Sequence, residues 1–161
     1  MRHQNSKGKQ RFYSACVLLA LISLHANATV SVLQSLDFGT IAVTNNNFAA
    51  SLEITPNGNM QVVGGIAVLQ NGNPGVFEIS GYPPNTTLDV DVNVLNTQMI
   101  SEIASEETFS LSLIVNSETV FTDNAGVALL SVGGRISSSG TGSNAFTDTR
   151  YNSTIQITVN L

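Results

Sequence analysis

The chain has 161 residues, a formal charge of −5, 42% hydrophobic residues, a single cysteine and two histidines. That length suits one domain, and one cysteine excludes an internal disulfide framework. The acidic balance excludes a phosphate backbone as partner and disfavours anionic membrane surfaces.

Residues 1 to 28 read as a secretory leader. Arg2, Lys7, Lys9 and Arg11 form a basic start, Cys16 to Leu24 an apolar run, and Ala26-Asn-Ala28 a small-x-small cleavage site. The apolar run is roughly half the ~20 residues a membrane-spanning helix needs, so a cleaved leader is expected and no membrane insertion after it. Removing it takes away His3, His25, Cys16 and both lysines, leaving Arg135 and Arg150 against eleven carboxylates, a charge of −9. Residues 29 to 161 then lack histidine, cysteine and lysine. With those go the usual general base, the thiolate nucleophile and the Schiff-base amine, together with the ligands of most zinc and iron–sulfur sites. The reading is therefore not an enzyme, and no cofactor.

From Thr29 onward the pattern has the period of two that belongs to strands. Val30 to Leu36 is a first strand that runs into Asp37-Phe38-Gly39, where the glycine permits a bend. Asn45-Asn-Asn47 marks a turn; Phe48, Ala50, Leu52 and Ile54 then alternate with smaller or polar residues up to the turn Pro56-Asn-Gly-Asn59. Met60 to Leu69 is apolar on both faces and reads as a central strand interrupted by a bulge at Gly64-Gly65. After the turn Asn71 to Gly75, Phe77 and Ile79 carry a short strand to Gly81, and Pro83-Pro-Asn85 breaks it.

Leu88, Val90, Val92 and Val94 alternate with Asp89, Asp91 and Asn93, the most regular internal strand. Met99 to Glu107 is acidic and fits a loop or one helical turn, its glutamates serving solvation. Phe109, Leu111, Leu113 and Val115 alternate again, and Asn116 to Glu118 turns them into Thr119 to Phe121. Val127 to Ile136 is a largely apolar run carrying Gly133-Gly134, and Ser137 to Asn144 reads as a flexible surface loop. Tyr151 precedes the last strand, in which Ile155, Ile157, Val159 and Leu161 form an apolar face and Thr154, Gln156, Thr158 and Asn160 a polar one. Some eight short strands separated by regular turn signals predict an all-β, antiparallel β-sandwich in a single domain spanning 29 to 161.

Asp89-Val-Asp-Val-Asn93 resembles the opening of a calcium loop, but Val94 stands where the sharp turn needs glycine, and the interleaved valines say strand. No carboxylate pair has a spacing that selects it for glycoside hydrolysis, and no serine has a basic partner. Gly64-Gly65 and Gly133-Gly134 lead into strand-forming residues rather than a helix that could hold phosphate. Sequons occur at Asn85 and Asn152 and matter only in a host that glycosylates.

Phe38-Gly39 after the first strand, Gly64-Gly65 before an apolar strand, Phe77 and Gly81 in a Phe-x-x-x-Gly segment, Val132-Gly133-Gly134, and Tyr151 before the terminal alternating strand together resemble secreted bacterial domains of the domain-of-unknown-function 4402 family. The resemblance extends to the spore coat U and chaperone-usher pilin sandwiches. It implies an immunoglobulin-like sandwich exported to the periplasm, cell surface or medium, where it serves as a structural or adhesive, fimbrial-like subunit. Its expected partners are copies of itself or cell-surface proteins, engaged through sheet edges. The alternative is a carbohydrate-binding module with Tyr82 and Tyr151 stacking on sugar rings. Pilins of the wider group complete their sheet with a donated strand. Here Thr29 to Leu36 alone precede Phe38-Gly39 and already serve as the domain's first strand, which leaves no spare donor arm. Leu161 stands where the family's terminal aromatic is usual, and Asn152-Ser153 where a glycine commonly follows the tyrosine.

Overall fold

The computed structural model describes residues 28–142 and 145–161, so the expected leader lies outside the described residues. Within them the chain forms thirteen strands and no helix: β1 (Thr29–Gln34), β2 (Thr40–Val43), β3 (Ser51–Ile54), β4 (Met60–Val63), β5 (Ile66–Gln70), β6 (Gly75–Ser80), β7 (Thr87–Val94), β8 (Ile100–Ser101), β9 (Ser110–Val115), β10 (Thr119–Phe121), β11 (Ala128–Ser137), β12 (Tyr151–Asn152) and β13 (Ile155–Asn160). Every pairing is antiparallel.

The ten-residue β11 is the spine. Its Ala128–Val132 half pairs with β6, Gly134–Ser137 pairs with β3, and Val132–Ser137 pairs with β9. Val132 is opposite both Gly75 and Val115, so β6 and β9 lie on opposite sides of β11. β3 shares residues 134–137 with β9 and so follows β6 along the same side. Gly133 sits at the changeover, where a Cβ would come within 2.2 Å of the Ile54 carbonyl oxygen. Only glycine lets the two backbones approach that closely. β1 extends this sheet beyond β6 and β4 extends it beyond β3.

The second main sheet is β10-β7-β13. Its inner residues Leu88 and Val90 meet Phe77, Ile79, Ala128, Leu130 and Val132 of the first sheet in one core, with Ile157 and Val159 packed at its margin. Two apolar faces are buried against each other, which makes the fold a β-sandwich. A second core, under β2 and β5, gathers Ala50, Leu52, Ile66, Phe109, Leu111 and Ile136, with Phe38 and Tyr151 partly buried beside it.

Thirteen strands replace the eight or so expected because apolar runs that look continuous in sequence change partners. Met60 to Leu69 is no central strand. Gly64, at φ +80°, and Gly65 turn a corner between β4, an edge strand on β3, and β5, which pairs with β2 in another sheet. Phe48 does not begin β3 either; it lies in a bend and is 78% exposed, and the strand starts at Ser51. Residues 99 to 107 contain the two-residue β8 and otherwise loop. Glu107, expected to be solvated, is buried and accepts a 2.8 Å hydrogen bond from Thr141 Oγ1. The expected flexible loop from Ser137 starts later: Ser137 ends β11, and buried Ser138 accepts a 3.0 Å hydrogen bond from the Ala50 N–H.

Candidate functional site

The two flanks of the sandwich differ. On one, β9 passes through residues 116–118 into β10, so the chain itself ties the sheets together. β13 lies across β7 from β10, and its Ile157 and Val159 pack on the core cluster that holds Phe77 and Ile79 of β6. Tyr82, just after β6, reaches over and donates to the Val159 carbonyl at 3.4 Å. Between β1 and β13 there is no covering strand among the described residues.

The β1 register shows what is left uncovered. Val30 is opposite Ile79, and Val32 opposite Phe77. Directly opposed residues point to the same face of a sheet, so both valines face the core side. Ile79 is fully buried and Phe77 is 7% exposed, yet Val30 and Val32 are 41% and 60% exposed. Across the cleft, Ile157 and Val159 oppose Val92 and Val90 on the core side of β13 and remain half-buried. Leu33 is the extra residue of a bulge between Val32 and Gln34 and is also exposed, at 58%. Inward-facing apolar side chains open to solvent thus lie beside two strands that are each hydrogen-bonded along one edge only.

The residues singled out from sequence divide between frame and site. Phe38, Gly39, Gly64, Gly65, Gly133, Gly134 and Tyr151 belong to the frame: Phe38 and Tyr151 pack in or beside the second core, and a Cβ on Gly134 would meet Leu36 and Phe38. Phe77 lies in the first core, and Gly81 ends β6 at φ +83°. Ile157 and Val159 reach the open flank; Ile155 shares their face, and Leu161 is 76% exposed just past β13. Sequence reasoning missed Val30, Val32 and Leu33, although the alternation in Thr29 to Gln34 marks the strand. What betrays them is register against β6, which sequence does not print.

The two tyrosines are not open platforms. Tyr151 stacks edge-on to Phe109, with centroids 5.2 Å apart, and its hydroxyl lies 3.0 Å from both Ser105 Oγ and the Thr147 carbonyl. Tyr82 packs partly buried on the first core. Asp89 and Asp91 stand on the outer, solvated face of β7. Both arginines among the described residues are paired, Arg135 with Glu53 and Arg150 with Glu102. Among the described residues Asp123 alone has a clearly displaced titration: N–H groups of Val127 and Ala125 hold its carboxyl below the usual range.

Fold and flank together define an all-antiparallel β-sandwich with one side left open. The chain belongs to the family described as Domain of unknown function (DUF4402), whose profile matches residues 28–161. No curated protein and no solved structure matches it at a significant level.

Proposed function

We propose that this protein is an exported, non-enzymatic structural or adhesive subunit, fimbrial-like in its assembly, that acts through the edges of its sheets. The observation that carries the reading is the open flank, where Val30 and Val32 face the core side yet stay exposed beside the unpaired edges of β1 and β13. Natural sandwiches blunt such edges with charge or proline, and here neither strand has either. A relation to spore coat U and to chaperone-usher pilin sandwiches accords with an edge that accepts another strand. The leader-like first 28 residues and the lack of histidine, cysteine and lysine after them accord with export and with contact rather than catalysis.

The test is fractionation of the source cells followed by amino-terminal sequencing. The reading expects a chain beginning at Thr29 in the material sheared from the surface or released from the periplasm. An uncleaved chain held in the cytoplasm contradicts it, as does turnover of a sugar polymer that vanishes when one carboxylate is replaced.

A second reading, carbohydrate capture, has its own observation. Phe121, 62% exposed, borders a shallow groove of about 330 Å³ lined also by Asn116, Ser117, Thr119 and Ser131, an apolar ring rimmed by amides and hydroxyls. Binding on a glycan array that is lost in Phe121→Ala supports it; a blank array removes it.

A further inference from the structure

The two-stranded ribbon of β8 and β12 continues from the β7–β13 pair and leaves an open depression of about 210 Å³, whose lining includes Asn96, Ile100, Glu102, Asn152, Ser153 and Thr154. Its walls are fixed by backbone bonds. The Leu95 N–H donates to the Thr154 carbonyl at 3.0 Å, the Glu102 N–H to the Arg150 carbonyl at 2.9 Å, and Ser153 Oγ to the Asn96 carbonyl at 2.9 Å. Ile100 and Asn152 are directly opposed, so their side chains share one face of the ribbon, while Tyr151 anchors the other face against Phe109. The polar groups of the lining can both donate and accept. Asn152 Nδ2 lies 3.4 Å from Glu102 Oε1, which leaves its second N–H and its amide oxygen for a ligand, and the Asn96 amide and the Thr154 hydroxyl make no hydrogen bond among the described residues. Ile100, 62% exposed, adds an apolar wall. Glu102 already has Arg150 at 3.7 Å, so a cation would compete with that arginine, and an anion would meet eleven carboxylates against two arginines over residues 28 to 161.

We propose that this pocket binds one neutral sugar ring, such as the terminal residue of a glycan. The proposal rests on the adhesive side of the reading above and gives it a site and a ligand class. A sugar presents hydroxyls that donate and accept at its edge and C–H groups on its face, and the lining offers amides, hydroxyls and a carboxylate beside one exposed isoleucine. Volume decides the size. The pocket lies below the ~300–1,000 Å³ that drug-sized ligands fill, so it suits one ring, with any longer chain running out into solvent. The ribbon is held in place before a ligand arrives, so binding has little to order besides the Asn96, Asn152 and Thr154 side chains. A shallow site for one ring binds weakly, on the order of 1 mM, and repeated copies on a surface raise that through avidity. This pocket shares no lining residue with the groove beside Phe121.

The experiment uses isotope-labelled protein exported from cells that express the full-length chain. Glucose, galactose, mannose and N-acetylglucosamine are titrated separately, with putrescine and succinate as charged controls, and backbone amide shifts are followed by NMR. At least one sugar should shift the amides of residues 95–96, 100–102 and 152–154 saturably, and neither control should. Asn152→Ala should weaken that binding by about tenfold or more through the loss of its hydrogen bonds to the ligand, while Phe121→Ala leaves it unchanged. Ile100→Ala, at an exposed position, should weaken it too and serves as the test if Asn152→Ala disturbs the ribbon. No shift at these amides with any sugar overturns the proposal, as do shifts confined to the groove at Phe121 or tighter binding of either charged control. The two levels of inference fail separately. A chain exported and cleaved but blind to every sugar loses this site and keeps the structural reading, whereas an uncleaved cytoplasmic chain that binds sugar here keeps the site and loses that reading.

Discussion

Asp123 holds the chain between β10 and β11 with a single carboxylate oxygen. Oδ1 accepts the Val127 N–H at 2.9 Å and the Ala125 N–H at 2.8 Å, and these bonds to the charged form lower its pKa from the ordinary 3.8. A depressed folded pKa stabilises the native state at pH above 3.8, and the contribution fades as pH falls through the lower folded value. Acid titration of stability should therefore lose one component below pH 3.8 in Asp123→Asn, and identical acid limbs in the two proteins would contradict this origin.

Two other single residues carry similar weight. Thr122 is fully buried; its Oγ1 accepts the Thr86 N–H and donates to the Pro83 carbonyl, both at 2.8 Å, which pins the β6–β7 connection to the end of β10. Thr122→Val keeps the shape but strands both backbone groups, so a loss of about 1–3 kcal/mol is expected from denaturant midpoints. Gly133→Ala adds a Cβ against backbone rather than against a yielding side chain. It should cost about 1–3 kcal/mol by overpacking, whereas a neutral result would mean that β3 and β11 slide apart more freely than their register implies.

At the scale of elements, what could be read in advance was alternation, and what could not was partnership. β7 and β13 are legible from sequence because one face is apolar and the other polar, and their observed burial follows that alternation, whereas β9 keeps it only over Ser110–Ser112 and is half-buried throughout Leu113–Val115. Met60 to Leu69 misleads because both of its halves are rich in apolar residues for separate reasons: β4 pairs with β3 over Leu52, and β5 covers the second core through Ile66. Gly64-Gly65 is compatible with a bulge or a corner, and only the three-dimensional course decides. Glycine pairs punctuate two strands here with opposite outcomes, since β11 runs straight through Gly133-Gly134. β1 is the converse case: it was legible as a strand, but its proposed role depends on lying beyond β6 with no further strand outside it among the described residues. The contrast is measurable. Leu88→Ala, at a fully buried position of the first core, should cost about 2–5 kcal/mol, while Val32→Lys on 60%-exposed Val32 should stay within about 0.5 kcal/mol in dilute, unassembled protein. If Val32→Lys unfolded the monomer, Val32 would be core and the flank would be closed.

For the whole molecule, the division of labour follows from where the apolar faces end. The β9–β10 connection shuts one side of the first core, and the second core sits beneath β2 and β5. On the remaining side the core simply continues to the surface. The aromatic and glycine features that carry the family resemblance mostly secure this frame, and for that reason they said little about the site; the terminal alternating strand is the exception. The proposed contact surface on β1 and β13 draws on sequence-distant ends of the domain, so no local motif announces it.

Amide hydrogen exchange, compared between the protein in its proposed assembled state and the same protein purified and diluted, tests that surface most directly. Assembly should slow exchange in 29–34 and 155–160 and leave β7, β9 and β11 as they were. Equal exchange at both edge strands in the two states, or new protection confined to other segments, would show that the open flank is not where this protein makes contact.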